Sequence, residues 1–287
     1  MASIAYISDE KMIEFHRLHG HDEINFWRLS TRQFSDFKTN DFLFFLVKTH
    51  KKEKGIAGFG KLARIENLSL NQMWNRYDIK NGYASKEELK KVIESANKQE
   101  SFPRKLNCLY LEQVVFFEAP LFLSEFGFDL HYNLESFTYI DQDDDVTSKI
   151  LASASTIGID LWTMSTTKHQ SFDFEHEILV HQLSTLVATE ATPAEKKLAK
   201  SFNKNRQLKC IPNHEAIFVD KNGIYVPLAS NKRKDTLSVF GWLAYCLKKV
   251  PALSKMKLSL YTDRKLSEED QELFTLLAVD LIHPDEP

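Results

Sequence analysis

Three histidines stand close together near the start of the chain, in the segment HRLHGHDE. His16, His19 and His21 have the spacing H-x-x-H-x-H, and histidines that share a helix face can hold a transition metal ion. The segment carries no catalytic context, and short motifs of this kind often match by chance. We therefore interpret it as a solvated helix end and expect no metal there.

Carboxylates in the second half of the chain are the candidates for nuclease chemistry. Metal-dependent nucleases of the PD-(D/E)xK type place a carboxylate on one strand and an E-x-K sequence on the next. Glu177, Glu215 and Asp220 come nearest to this pattern, with Lys221 beside them, but no E-x-K or D-x-K follows at strand spacing. We assign no catalytic residue, and whether the chain is an enzyme stays open.

A zinc-hydrolase site is not indicated either. The segment FDFEHEILVHQ differs from H-E-x-x-H, because His176 and His181 point in different directions on a helix. Cys108, Cys210 and Cys246 form no C-x-x-C pair, which argues against a thiolate metal site. Their apolar settings are typical of reduced core cysteines in a cytoplasmic protein. We expect no cofactor.

Composition limits the classes of partner. The chain has 287 residues and a net charge of −3, so it has no general affinity for polyanions. Binding of nucleic acid would depend on local basic segments, such as 48–55 and 230–235. The sequence shows no run of 18 apolar residues and no secretory signal, which predicts a cytoplasmic protein without a membrane partner.

The clearest change in composition is the acidic segment DQDDDVTS, residues 141–148. Its aspartates repel one another and are unsuited to a core. The sequence before it is aromatic and rich in strand patterns, whereas longer helical patterns follow it. We expect a first domain at residues 1–142 and a second at residues 149–287.

The first part alternates strand patterns with short helices. Ser8 or Asp9 can begin a helix that ends at Gly20, and Ser85 with Glu88 forms a capping box. Helices are predicted at 8–20, 69–79 and 85–98, and strands at 23–30, 42–47, 56–62, 106–118 and 134–141. Strands interrupted by short helices, without regular βαβ alternation, favour a small open barrel.

The second part has an α/β or α+β pattern, so the chain as a whole is expected to be α+β. Thr192, Pro193 and Glu195 mark a helix start, and the sequence DKNG separates the two runs of a hairpin. Helices are predicted at 174–187, 192–206, 234–250 and 266–282, a hairpin at 215–229 and a strand at 255–263.

The segments GIAGFGKL, MWNRYDIKNGYAS and NCLYLEQVVFFE follow one another in an order that carries a family likeness. The features concerned are Gly58, Gly60, Trp74, Tyr77, Asn81, Gly82, Phe116 and Phe117. They resemble the N-terminal PUA-like (EVE-like) domain that precedes HNH nuclease modules in bacterial restriction endonucleases. The resemblance covers residues 24–140.

The resemblance implies an open PUA-like barrel that holds a flipped, and in some cases modified, base in an aromatic pocket. Such a pocket must supply stacking surfaces and hydrogen bonds that offset the cost of unstacking the base. Asn81 would read the base edge, and Arg28, Lys61 and Arg64 would hold phosphates. The residues expected to bind nucleic acid are Trp27, Arg28, Gly58, Phe59, Gly60, Lys61, Trp74, Tyr77, Asn81 and Tyr83.

The residues themselves leave structural alternatives open. The glycine pair is also typical of a β-bulge, and aromatic residues three apart on a helix usually fill a core. The downstream half has no HNH-type signature, so nucleolytic cleavage does not carry over from the resemblance.

The resulting prediction is a nucleic-acid reader in bacterial restriction or antiviral defence, with DNA preferred over RNA. The alternatives are a metal-dependent nuclease with an unrecognised active site in the second domain, or a second domain that forms a homodimer or docks a defence-system partner.

Overall fold

A computed structural model of the chain describes residues 2–30, 33–48, 53–97, 101–131, 133–166, 172–230 and 232–283. The chain divides into two compact units, Met1–Phe174 and Glu175–Pro287. Residues 49–52 of the basic segment at 48–55 and residue 231 of that at 230–235 lie outside the described residues. In the part of the chain that is described, no helix is long and apolar enough to cross a membrane.

The first unit is built on a six-stranded sheet. Its strands are β1 (Ile4–Ile7), β2 (Ile24–Arg28), β3 (Phe42–Lys48), β4 (Lys54–Leu68), β5 (Leu106–Leu121) and β6 (Phe137–Tyr139). They are arranged in the order β2-β5-β4-β3-β1-β6, which leaves β2 and β6 at the edges. All neighbours pair antiparallel except β1 and β3, which are parallel. The hairpin predicted from residues 42–62 is confirmed as β3 and β4.

Short helices follow the strands of this unit, and side-chain caps begin several of them. Asp9 accepts a hydrogen bond from the Met12 backbone at the start of α1, and Ser69 and Gln72 form a capping box at α2. The helices are α1 (Glu10–Leu18), α2 (Leu70–Tyr77), α3 (Lys86–Ala96), α4 (Val146–Ile157) and α5 (Leu161–Thr166), with 3-10 helices at Asp78–Asn81 and Leu123–Phe126.

The core of the first unit lies between the sheet and these helices. Leu43, Phe45 and Leu109 contribute from the strands, whereas Met73 and Leu89 contribute from α2 and α3, all with 0 % exposure. Burial of such side chains stabilises a fold by about 1.5–3 kcal/mol each. This core fixes α2 and the 3-10 helix after it against β4 and β5.

The chain continues in the first unit beyond the acidic segment at 141–148. The backbone N–H of Glu118 in β5 donates to the Gly158 carbonyl, and that of Asp160 donates to the Phe116 carbonyl. Ile150 and Leu151 of α4 are fully buried. The division between the two compact units therefore falls after α5, C-terminal to the boundary expected from composition.

The second unit contains a five-stranded sheet in the order β11-β10-β9-β8-β7. Strands β9, β10 and β11 are parallel, and β7, β8 and β9 pair antiparallel. The strands are β7 (Lys209–Ile211), β8 (His214–Val219), β9 (Gly223–Pro227), β10 (Lys257–Tyr261) and β11 (Val279–Ile282), and the helices are α6 (Phe174–Leu186), α7 (Pro193–Phe202), α8 (Arg233–Lys249) and α9 (Glu268–Thr275).

The capping box of Thr192 and Glu195 begins α7 as predicted. With antiparallel and parallel strands beside helices in both units, the α+β class expected from the sequence is confirmed.

Candidate nucleic-acid interface

Gly58 and Gly60 lie on β4 with no room for a side chain against β5. A Cβ atom at Gly58 would lie 2.2 Å from the Val115 carbonyl oxygen, and one at Gly60 would lie 2.9 Å from the Leu111 Cβ atom. The strand register shifts on either side of these positions, as in a β-bulge. Strand β5 already fills the room beside both glycines, which accounts for them without a ligand.

Phe59, between the two glycines, is fully buried. Its ring lies 5.3 Å from that of Phe42 and 5.9 Å from those of Phe44 and Phe117, with edge-to-face angles between 61° and 79°. These are favourable packing geometries for aromatic rings. The Phe59 ring is therefore enclosed by core packing, and its part in stacking a base stays a prediction.

Asn81 is the centre of a buried polar network. Its Nδ2 donates to the Asp78 carbonyl at 2.7 Å, while its Oδ1 accepts from Asn25 Nδ2 at 2.8 Å. Its backbone carbonyl accepts a hydrogen bond of 3.2 Å from Trp27 Nε1. Both ends of the amide are occupied within the protein, so Asn81 positions the backbone of the 3-10 helix.

Tyr83 and Trp74 also belong to the packing around α2. The Tyr83 ring lies 6.5 Å from that of Trp27 and is 4 % exposed, and burial raises the pKa of its hydroxyl. Trp74 is half-buried and packs against the core of the unit. For these two rings and Trp27, the structure favours core packing over an open stacking face.

Arg28 and Lys61 are held by aromatic rings. The Arg28 guanidinium lies 4.0 Å from the centre of the Phe34 ring, its Nε donates to Asn107 Oδ1 at 2.6 Å, and burial lowers its pKa. Lys61 Nζ lies 5.1 Å from the Phe42 ring centre. Arg28 is only 6 % exposed, which leaves little of its guanidinium for a phosphate.

A cleft of about 350 Å³ opens on another part of the same unit. It is lined by Arg64, Arg76, Tyr77, Asp78, Ile79, Lys80 and Tyr110. Arg64 on β4 stands directly opposite Tyr110 on β5, and the other residues come from the end of α2 and the following 3-10 helix. Of the residues predicted to bind nucleic acid, the structure places Tyr77 in this cleft, together with Arg64.

Two tyrosine rings form one wall of the cleft. The centres of Tyr77 and Tyr110 are 5.3 Å apart and their planes differ by 19°. The guanidinium carbon of Arg64 lies 4.1 Å from the Tyr110 ring centre and 5.9 Å from that of Tyr77. A guanidinium over an aromatic face is attracted by the ring quadrupole, so Arg64 is held beside the two rings.

Two carboxylates hold the polar ends of these side chains. Glu66 accepts hydrogen bonds from Arg76 and, at 2.5 Å, from the Tyr77 hydroxyl. The Arg76 and Tyr77 contacts hold the pKa of Glu66 below its usual range. Glu23 accepts from Lys80 Nζ and from the Tyr110 hydroxyl, each at 2.6 Å.

The three basic side chains of the cleft remain partly open to solvent. The side chains of Arg64, Arg76 and Lys80 are 47 %, 49 % and 37 % exposed. Each has a carboxylate neighbour, so the local charge is mixed and not strongly positive. Arginine offers several N–H groups in a planar fork, which lets a guanidinium bound to a carboxylate also donate to a second oxygen.

The histidine segment differs from its predicted solvated state. His16 is fully buried, and its Nδ1 lies 2.9 Å from His21 Nδ1. The pKa of His16 is held well below its usual range by burial first and then by the neighbouring imidazoles, and that of His21 is lowered to about 4, mainly by burial. The expectation of a solvated helix end is therefore wrong for His16, since α1 packs this face inward, and holds for the exposed His19.

The carboxylates suggested for nuclease chemistry have structural partners in the second unit. Glu215 forms an ion pair of 2.7 Å with Lys196. Asp220 Oδ1 accepts from the backbone N–H groups of Asn222 and Gly223, each at 2.8 Å, in the turn between β8 and β9. Strand β9, with the sequence GIYVP, has neither a carboxylate nor a lysine. This geometry gives the nuclease alternative no support.

Sequence reasoning missed Arg76, Lys80 and Tyr110 as neighbours. A signal was present in NRYDIK, where Arg76 and Lys80 stand one turn apart around Tyr77. Tyr110 has no local signal, because only the pairing of β4 with β5 brings it to Arg64.

No protein-family model matches the chain, and no curated protein matches it. Among solved structures, the ASCH protein from Zymomonas mobilis is similar at 15 % sequence identity and a TM-score of 0.37, over 52 % of this chain and 94 % of that chain. Mutant proteins of the same ASCH are similar at 15 % and 14 % identity, over 96 % and 95 % of their chains, each with a TM-score of 0.37. A likeness of this size assigns no function, so function rests on the geometry of the cleft.

Proposed function

We propose that the first unit binds single-stranded nucleic acid, or an unstacked base with its flanking phosphates, in the cleft between β4, β5 and α2. The observation that carries this proposal is the meeting of Arg64, Arg76 and Lys80 with the paired rings of Tyr77 and Tyr110. Sites for single strands combine basic side chains along a groove with aromatic side chains beside it.

The basic side chains supply the phosphate contacts. They come from two different elements, with Arg64 on β4 and the other two at the end of α2 and in the 3-10 helix. A phosphate entering the cleft would share the guanidinium groups with Glu66. Three contacts to a single strand correspond to a slope of log affinity against log salt of about −2, which is shallow and fits a chain with a net charge of −3.

The tyrosines supply an apolar wall beside the base and not an open stacking face, because Tyr77 and Tyr110 are only 4 % and 8 % exposed and Arg64 lies over the Tyr110 ring. Hydrogen bonds to Glu66 and Glu23 fix their hydroxyls, so the rings are ordered before a ligand arrives. Rings that are ordered in advance lose less conformational entropy on binding.

The finer expectations from the family resemblance stay predictions. They concern a flipped and modified base, DNA in preference to RNA, and a role in bacterial defence. The cleft lies at Tyr77 and Arg64, away from the glycine pair at which the resemblance places the base, so Gly58, Phe59 and Gly60 are not part of this proposal. A dimerising or partner-docking role for the second unit also stays a prediction.

The test is fluorescence anisotropy with the full chain and end-labelled single strands of DNA and RNA, titrated at several salt concentrations. Arg64→Ala and Arg76→Ala should each weaken binding to all sequences and flatten the salt slope by about 1. Arg104→Ala is the matched control, because Arg104 is exposed and does not line the cleft. Equal loss in all three variants, or no binding by the wild type at low salt, would overturn the proposal.

A further inference from the structure

Asp78, in the wall of the cleft, has an unusual backbone conformation. Its φ is 46° and its ψ is −129°. This combination lies outside the regions that L residues favour; glycine adopts it most readily, and Asn and Asp tolerate it better than other residues with a side chain. A residue with a side chain stays in such a conformation only where its surroundings enforce it.

The surroundings of Asp78 do enforce it. Its backbone N–H donates to the Trp74 carbonyl at the end of α2. Its carbonyl accepts the 2.7 Å hydrogen bond from Asn81 Nδ2, and Asn81 is itself fully buried and fixed by Asn25. The sharp change of direction between α2 and the 3-10 helix is thus set by the backbone, and glycine would make the same turn with less strain.

The Asp78 side chain has no structural role that would explain it. It is exposed, and it forms no hydrogen bond or ion pair with the residues that the structure describes. The carboxylates that contact the cleft residues differ in this respect, since Glu66 and Glu23 hold tyrosine and basic side chains. Asp78 therefore presents an unengaged acceptor in the wall of the cleft, at a position where a glycine would be less strained.

We infer that Asp78 is a specificity-determining residue, whose carboxylate accepts hydrogen bonds from the N–H groups of a base bound in the cleft. This inference rests on the proposed function of the cleft. Backbone strain retained beside a ligand cleft is typical of a functional position. In unpaired nucleic acid the Watson–Crick edge of the base is open to such a contact.

The chemistry of a carboxylate points to guanine as the preferred base. The two oxygens of an ionised carboxylate accept a pair of parallel hydrogen bonds, and guanine presents N1–H and the N2 amine side by side. Adenine and cytosine each place a ring-nitrogen lone pair next to the amine, and uracil flanks its single N–H with carbonyls. Both arrangements repel the second carboxylate oxygen.

The experiment compares single-stranded oligouridine probes that differ only in one central base: guanine, hypoxanthine, adenine, cytosine or uracil. Wild-type protein should bind the guanine probe about fivefold or more tightly than the uracil probe, with hypoxanthine between them because it lacks the N2 amine. Asp78→Asn should remove this preference, since its amide offers one acceptor and tolerates a positive φ. Asp129→Asn is the matched control, because Asp129 is exposed and lies outside the cleft.

Asp78→Gly separates the role of the side chain from that of the turn. It should raise the melting temperature by relieving backbone strain, and it should also lose the preference for guanine. The inference is overturned if Asp78→Asn keeps the wild-type preference, or if the wild type binds every probe equally. In either case, salt-sensitive binding that depends on Arg64 would still support the proposed function of the cleft. If the wild type binds none of the probes, both the inference and the proposed function are wrong.

Discussion

The Tyr77 hydroxyl donates a hydrogen bond of 2.5 Å to Glu66 Oε2, and this bond ties a ring of the cleft to the carboxylate that holds Arg76. Removing the hydroxyl in Tyr77→Phe should leave the ring in place, because it is 4 % exposed and packed in the core. We expect a loss of about 1 kcal/mol in the free energy of unfolding, measured by urea denaturation. Since the bond lowers the pKa of Glu66, that pKa should rise in the variant.

Tyr110→Phe is the companion variant, because the Tyr110 hydroxyl makes the equivalent 2.6 Å bond to Glu23. Its loss of stability should be similar, while the pKa of Glu66 should stay near its wild-type value. An equal rise of the Glu66 pKa in both variants, followed by carboxyl NMR, would contradict the assignment of that shift to Tyr77.

The pH dependence of stability should report the buried histidines. Folding lowers the pKa of His16 well below its usual range and that of His21 to about 4, so the unfolded chain binds more protons between about pH 6.5 and pH 4. Stability should therefore be full above pH 6.5 and fall as the pH falls through this window. One proton of difference corresponds to about 1.4 kcal/mol per pH unit, and partial exposure of His21 reduces its share.

His21→Gln gives the comparison, with unfolding measured at closely spaced pH values. The groups that face His21 include His19, Lys80 and Asp22, and all remain in the variant. Its slope between pH 6.5 and pH 5 should be smaller than that of the wild type. Above pH 5 the carboxylates contribute little, so an unchanged slope would mean that His21 is not buried as described.

Two glycines should respond in opposite directions to the same substitution. Gly58→Ala places a methyl group 2.2 Å from the Val115 carbonyl oxygen. This oxygen belongs to the backbone of a central strand pair, which can move only slightly to relieve the clash. We expect a loss of about 1–3 kcal/mol or more in the free energy of unfolding. Gly241→Ala is the control, because Gly241 lies within α8 and its added Cβ would meet no atom within 4 Å. It should stabilise the protein by up to about 1 kcal/mol.

Patterns contained in a few residues are enough to predict many of the elements. Asp9, Ser85 and Thr192 each cap the helix expected of them, because a capping bond spans only three residues. The final helix, in contrast, is predicted to reach Ile282 but α9 ends at Thr275, and the following apolar residues form β11. An apolar run fits a buried helix or strand equally, and pairing with β10 decides between them.

The candidate site is harder to predict than the elements that carry it. Tyr77 and Arg64 are identified from the sequence, yet Asn81 and Phe59 are buried in packing and networks that residue type alone does not reveal. Polar and aromatic residues serve both in cores and in binding sites. In this protein, the register of β4 and β5 identifies the cleft residues, because it places Arg64 opposite Tyr110. The sequence alone does not contain that register.

The position of the domain boundary can be tested with fragments. A fragment of residues 1–142, as the acidic segment suggests, lacks α4 and α5. It exposes the β5 surface on which α4 packs and removes the partners of two β5 backbone groups, Glu118 N–H and the Phe116 carbonyl. Residues 1–174 retain the fully buried Ile150 and Leu151. We expect the longer fragment to melt cooperatively in circular dichroism and the shorter one to show a broad, non-cooperative transition.

Single-residue variants of the longer fragment make this test sharper. Leu151→Ala removes a fully buried side chain of α4 and should lower the free energy of unfolding by about 2–5 kcal/mol. Ser155→Ala is the control in the same helix, because Ser155 is exposed and its hydroxyl bonds only to the Ala152 carbonyl. If α4 contributes nothing to the first unit, both variants will melt alike and the 1–142 fragment will fold by itself, which would support the boundary at the acidic segment.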